Sequence, residues 1–225
     1  MKFAKLLPIT MSLMLAASIG SVAMADPAPS PSHSATQNLD IVLPEYIDIR
    51  EATDLSKLSA NALFTEDYNT LTLDDNLHLA FDVTTNKNSK KIKLTATAAG
   101  NSEALRWDTS TKNFRLAFAN TTVPATSDDV IAALDTKTKE TNPNVIVFRV
   151  TPVVKYDSVA KLNTHATGDS SLEPTGTNTL TYTLVNGKYL FDYDIPTGAC
   201  ENNTFSTRDQ SGTYEVTLLM TDEGV

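Results

Sequence analysis

The chain has 225 residues and a formal net charge of −9, which argues against a protein that binds nucleic acid through basic surface charge. Cys200 is the only cysteine, so no intrachain disulfide can form, and no apolar run after the N-terminus is long enough for a membrane span. The 32 threonines, beside 41% hydrophobic residues, are typical of a β-sheet protein with polar outer faces.

The first 25 residues have the pattern of a secretory signal peptide. Lys2 and Lys5 precede an apolar run, and Ala23-Met24-Ala25 matches the small-x-small cleavage site. Cleavage would leave 200 of the 225 residues, and the loss of two lysines would take the net charge from −9 to −11. We therefore expect a secreted protein of the periplasm, the cell surface or an extracellular fibre.

The mature chain is predicted to begin with a flexible leader. Residues 26–37 are rich in Pro and Ser and show no apolar period. Residues 38–225 have recurring apolar patterns to their end, and we predict that they form a single domain.

An alternating strand follows the leader. Its apolar residues share one parity, and Pro44-Glu45 interrupts the pattern, so the strand is predicted to be an edge, bulged, or split in two. These apolar residues are Leu39, Ile41, Leu43, Ile47 and Ile49. The spacing of Leu55, Leu58 and Ala62 then predicts one short helix or turn over 54–63.

Two pairs of strands are predicted to be hairpins. Leu77–Val83 and Lys91–Thr97 alternate in polarity around a polar connector. Asn186-Gly187 favours a two-residue turn, which would pair 180–184 with 189–193. In that register Leu180, Tyr182 and Leu184 share one face with Tyr189, Phe191 and Tyr193.

The remaining elements complete an all-β pattern. Ser127–Leu134 is predicted to be a short helix, and Val145–Val150 a strand buried on both faces, with Pro152 ending its regular pairing or marking a bulge. A last strand follows Gly212. The sequence thus predicts an antiparallel Ig-like β-sandwich of about eight or nine strands with one or two short helices. A closed barrel is the alternative.

No motif indicates catalysis. His33, His78 and His165 are far apart, and each is predicted to be a solvated side chain. Asp128-Asp129 fits the first turn of a helix, and the pair Asp192 and Asp194 fits the solvent face of a strand. We therefore predict no catalytic residue, no metal site, no cofactor and no enzymatic activity.

Both ends of the predicted domain resemble bacterial fimbrial major subunits. Residues 38–49, with their alternating apolar side chains, Pro44 and a following apolar-Asp step, are similar to the N-terminal strand of such pilins. Residues 212–221, which begin Gly-Thr-Tyr, are similar to their closing strand. The Pro/Ser-rich leader, the residues after the last strand and the lack of an early disulfide depart from the pattern.

The resemblance implies a sandwich that lacks one strand. A neighbour's N-terminal strand would fill the resulting groove, and Leu39, Ile41, Leu43, Ile47 and Ile49 would be the inserted face. The expected function is a structural subunit of a bacterial surface fibre or pilus-like adhesive layer. The expected partners are other copies, other fibre subunits and a periplasmic chaperone, with no nucleic acid and no membrane span.

Two alternatives stay open at this point. The N-terminal strand could pair as an ordinary edge within its own chain. The protein could also be a monomeric exported β-sandwich module that binds carbohydrate or protein. The candidate ligand contact is then Trp107, whose ring could stack on a sugar beside the 160–178 loop.

Overall fold

The computed structural model of the chain describes residues 44–64, 71–136, 144–158, 164–201 and 211–224. These residues form twelve strands and one helix. In chain order they are β1 (Ile47–Glu51), β2 (Ala62–Phe64), β3 (Leu71–Leu73), β4 (Leu77–Thr85), β5 (Lys90–Thr97), β6 (Leu105–Asp108), β7 (Asn113–Asn120), α1 (Ser127–Thr136), β8 (Val145–Asp157), β9 (Leu180–Leu184), β10 (Gly187–Ile195), β11 (Tyr214–Glu215) and β12 (Thr217–Asp222).

Two sheets of unequal width form the sandwich. The larger sheet has seven strands in the order β1-β4-β10-β8-β7-β11, with β6 also paired to β7. The smaller sheet has three, in the order β12-β5-β9, and β2 and β3 form a separate pair. Every pairing between these strands is antiparallel, which confirms the predicted all-β antiparallel sandwich.

The inner faces of both sheets contribute to one hydrophobic core. Alternating residues of the strands point inward, and Tyr182, Tyr193, Phe114 and Phe191 are among the largest fully buried side chains. Tyr182 of the smaller sheet packs against Phe191 of the larger one, with ring centroids 4.9 Å apart. The described residues all belong to one compact unit, 43–225.

Both predicted hairpins are wrong in their pairing. β4 belongs to the larger sheet and β5 to the smaller one, and β9 and β10 are divided in the same way. Each connection therefore crosses the core from one sheet to the other. The predicted inward faces are correct, because the residues expected to be cross-strand neighbours meet across the core instead.

Strand β8 and helix α1 agree with the predicted elements. Val145, Ile146, Val147 and Phe148 are all buried, and α1 packs on β7 and β8. Thr126 and Asp129 form a capping box: the Asp129 N–H donates to Thr126 Oγ1 at 3.2 Å, and the Thr126 N–H donates to the Asp129 carboxylate at 2.8 Å. Pro152 does not end the strand: the pairing of β8 with β7 ends at Val150, but β8 continues to Asp157 and pairs with β10 through Pro152.

The short helix or turn predicted over 54–63 is a turn, in which the N–H groups of Leu55 and Ser56 both donate to the Ala52 carbonyl. The backbone of Lys57 then pairs with His78 of β4, and the chain enters β2. The last strand is divided at Val216 between the two sheets, β11 pairing with β7 and β12 with β5. Strands that change sheets in this way turn the corner of a sandwich.

Candidate functional site

An apolar groove lies beside the smaller sheet, over part of the inner face of the larger one. We call it the β12 groove, because β12 forms one of its walls and inner-face residues of the larger sheet form its floor. It encloses about 290 Å³. Its apolar lining comprises Leu58, Leu77, Leu79, Phe81, Leu116, Phe118, Val150, Tyr193, Ile195, Val216 and Leu218, and its polar lining comprises Glu51, Lys57, His78 and Thr217.

The β12 groove borders an open sheet edge. β12 is the terminal strand of the smaller sheet, and no other described strand than β5 pairs with it. The Glu223 N–H donates to the Lys91 carbonyl at 3.1 Å, so alternate residues of β12 direct their main-chain groups toward β5. The main-chain N–H and C=O groups of Leu218 and Met220 consequently point away from β5, toward the open edge.

The opposite border of the groove is already paired. In the half of β4 that β1 does not reach, Ala52 N–H donates to the Ala80 carbonyl at 2.8 Å, and Lys57 and His78 exchange two main-chain bonds. Among the described residues, the main-chain groups that an additional strand could pair with therefore lie on β12. Leu58, which also lines the groove, is 65% exposed.

A histidine holds the segment that forms this paired border. His165 Nε2 lies 2.9 Å from Asp54 and its Nδ1 lies 2.8 Å from Asp82 of β4. We call these residues the His165 cluster (Asp54, Asp82, His165). The hydrogen bond to Asp54 is the main cause that raises the pKa of His165, and it lowers the pKa of Asp54 in turn.

His165 differs from its sequence-based prediction. It is half-buried between two carboxylates rather than solvated, since its loop packs over the outer face of the larger sheet. The neighbouring Ala166 is buried with Ala52, Ala80 and Leu190 in a small second cluster. The 160–178 loop contributes one apolar residue, Ala166, to this cluster, and a single alanine gives no hydrophobic pattern from which the packing of the loop could be predicted.

The structure places the predicted assembly residues in two groups. Ile47 and Ile49 belong to β1, where they pair with Thr85 and Val83 of their own chain. β1 is an edge strand, as its proline-interrupted pattern predicted. Leu39, Ile41 and Leu43 lie outside the described residues.

The candidate ligand contact Trp107 lies in the core. It is 8% exposed and belongs to β6, which pairs with β7. Its parity on that strand, with Leu105 also inward, directs the indole toward the sandwich interior. This position argues against a sugar-stacking role, because the ring offers no open face to a ligand.

Within the described part of the chain, no group of three or more His, Cys, Asp or Glu side chains could hold a metal ion. In the same residues no helix is long and apolar enough to cross a membrane. No protein-family model and no curated protein matches this chain. The fold and the site define an all-β sandwich protein with an apolar groove beside an open sheet edge.

Proposed function

We infer that this protein is an exported structural subunit of a bacterial surface fibre, assembled when a strand of one copy adds to β12 of the next. One observation carries the proposal: an apolar groove and a free strand edge occur side by side on β12. A β-strand satisfies both at once, because its main chain pairs with the edge while alternate side chains fill the groove.

The strand donor that we propose is the segment with Leu39, Ile41 and Leu43. Its apolar side chains recur every second residue, as Leu218 and Met220 do on β12. The intrachain pairing of β1 begins at Ile47. Pro44, which has no N–H to donate to a neighbouring strand, lies between the proposed donor segment and β1. Ile47 and Ile49 then have an intrachain role in β1, and only the first three residues of the predicted assembly strand would insert.

Such an addition is head-to-tail. The donor segment and the β12 groove are different surfaces, so each added copy presents a new groove, and the assembly extends as a filament unless its rotation closes a ring. Before assembly, an open edge beside an apolar groove is an aggregation hazard. A periplasmic chaperone that covers β12 would fit that need, and the signal-peptide pattern fits export.

The test uses two variants of the mature chain, residues 26–225. Ile41→Asp places a charge in the donor, and Leu218→Asp places one in the acceptor wall. We expect concentration-dependent polymers of the unmodified protein by light scattering on a sizing column, and monomers of either variant alone. A 1:1 mixture should form dimers, because one variant keeps a working groove and the other a working donor.

Circular dichroism on each variant checks that the sandwich is folded, and Trp107 fluorescence reports the core. Asp128→Ser, on the exposed first turn of α1, is the control substitution and should leave polymerisation unchanged. A folded mixture that stays monomeric would contradict strand addition through β12. In that case the β12 groove would serve another ligand.

A further inference from the structure

A buried lysine joins three segments at the end of β12. Lys90 Nζ lies 2.8 Å from Glu45 Oε1 and 2.9 Å from Asp222 Oδ2. We call these residues the Lys90 cluster (Glu45, Lys90, Asp222). The lysine side chain is only 7% exposed, whereas the two acids are about one-third exposed.

The fold explains why these groups meet. Lys90 and Asp222 have the inward parity of β5 and β12, because Lys90 alternates with Ile92 and Asp222 is the register partner of Ile92. Glu45 precedes β1 and approaches from the side of the larger sheet. An amine and a carboxyl group on neighbouring strands thus face a second carboxyl group from outside their sheet.

We propose that Lys90 and Asp222 condense to an amide bond within one chain, with Glu45 as the acid–base group. A lysine amine and a carboxylic acid need only lose water to form this bond. Held reactants of this kind act at effective concentrations of roughly 10⁵ M or more, which offsets the excess of water. The two hydrogen bonds hold the Lys90 amine beside Asp222, the acid that it attacks, and beside Glu45, the group that moves its proton.

The reaction starts from the ion pair, because the hydrogen bonds that Lys90 donates to Glu45 and Asp222 raise its pKa. Lys90 first passes one proton to Asp222, leaving a neutral amine beside a neutral acid. The nitrogen lone pair then attacks the Asp222 carboxyl carbon, and Glu45 takes the second proton from nitrogen and returns it to the departing oxygen. One C–N bond forms, one C–O bond breaks, one water leaves, and Glu45 is restored.

The bond would fasten β12 to β5 near the C-terminal end of β12. Among the described strands β12 pairs with β5 alone, so this link would tie it covalently to the core. It would form within a monomer, and its formation does not depend on strand addition to the β12 groove.

The experiment is the intact mass of the purified mature protein. We expect a mass about 18 Da below the value calculated from the sequence, the loss of one water. Tandem mass spectrometry of a digest should show the peptide with Lys90 joined to the peptide with Asp222. Lys90→Arg and Asp222→Ala should each restore the full mass, and Glu45→Gln should leave most of the protein unlinked.

Lys112→Arg is the matched control, since Lys112 pairs with Glu173 on the surface at 2.5 Å. It should retain the lower mass. Full mass of the unmodified protein after several days at pH 8 would overturn the proposal and leave an ordinary ion pair. A mass loss that persists in Lys90→Arg would also overturn it, because the dehydration would then lie elsewhere in the chain.

Discussion

At the scale of single residues, polar side chains on inward positions make the contacts that the hydrophobic pattern does not indicate. Lys90 lies on the same face of β5 as the apolar residues Ile92 and Leu94, and the sequence alternation shows this position. Its partners Glu45 and Asp222 lie 45 residues before it and on the last strand, so only the fold brings them together. The same holds for His165, which lies 111 residues from Asp54.

The His165 cluster should make stability depend on pH. A raised histidine pKa contributes stability that is fully present below about 6.5, the ordinary value, and is lost as pH rises through the raised value. A lowered Asp54 pKa contributes stability that is present above about 3.9 and lost as pH falls through the lowered value. The contribution is therefore largest between these two ranges.

We expect His165→Gln to lower the melting temperature more at about pH 5.5 than at about pH 9, because only the protonated histidine pairs with both carboxylates. Thermal unfolding at the two pH values measures the difference between the variant and the unmodified protein. An equal loss at both pH values would contradict a charged pair at this position.

At the scale of elements, alternation predicts which side chains face inward but not which strand lies beside which. Tyr182 and Phe191 were assigned correctly to one buried face, yet they belong to different sheets. A hairpin and a connection that crosses the core give the same alternation, since both bury the same residues. Sheet membership depends instead on long-range pairing, such as β5 with β12, which local patterns do not contain.

The connection from β9 to β10 depends on Gly187. Its φ of 149° lies in the region that favours glycine, and an added Cβ would lie 2.4 Å from Cε2 of Tyr156 and 2.7 Å from the Asp157 carbonyl oxygen. Tyr156 also donates its hydroxyl to the Asn186 carbonyl at 2.8 Å. The turn is therefore packed tightly against β8.

We expect Gly187→Ala to lower the free energy of unfolding by about 2 kcal/mol, through backbone strain and displacement of Tyr156. Gly198→Ala is the matched control, because nothing lies within 4 Å of its added Cβ, and it should change stability by less than about 0.5 kcal/mol. Urea unfolding measures both variants. Similar losses for the two would show that the turn does not require glycine.

At the scale of the whole molecule, the unequal width of the two sheets produces the candidate site. Seven strands face three, and the β12 groove lies over the inner face of the larger sheet beside β12, although floor residues such as Val150 and Tyr193 are themselves buried. The sequence predicted a sandwich and its core faces but could not count the strands of each sheet. The resemblance to fimbrial subunits implied a groove, but the position of a groove could not be predicted without knowing that β12 pairs with β5.

If the β12 groove accepts a strand, a short donor peptide should stabilise the fold. The receiver is the Ile41→Asp variant, whose own donor is impaired, and the peptide spans residues 36–44. At a concentration 100-fold above Kd, binding to the native state adds about 2.7 kcal/mol. For a domain of this size we expect the melting temperature to rise by about 5–10 °C.

Two comparisons make this stabilisation specific to the β12 groove. A peptide with Asp in place of Ile41 should leave the melting temperature unchanged, because its charged side chain would enter an apolar groove. Adding Leu218→Asp to the receiver should abolish the rise, since Leu218 lines the wall on which the strand would pair. A rise that survives this substitution would place the peptide elsewhere, and no rise with any peptide would leave the open edge of β12 without its proposed occupant.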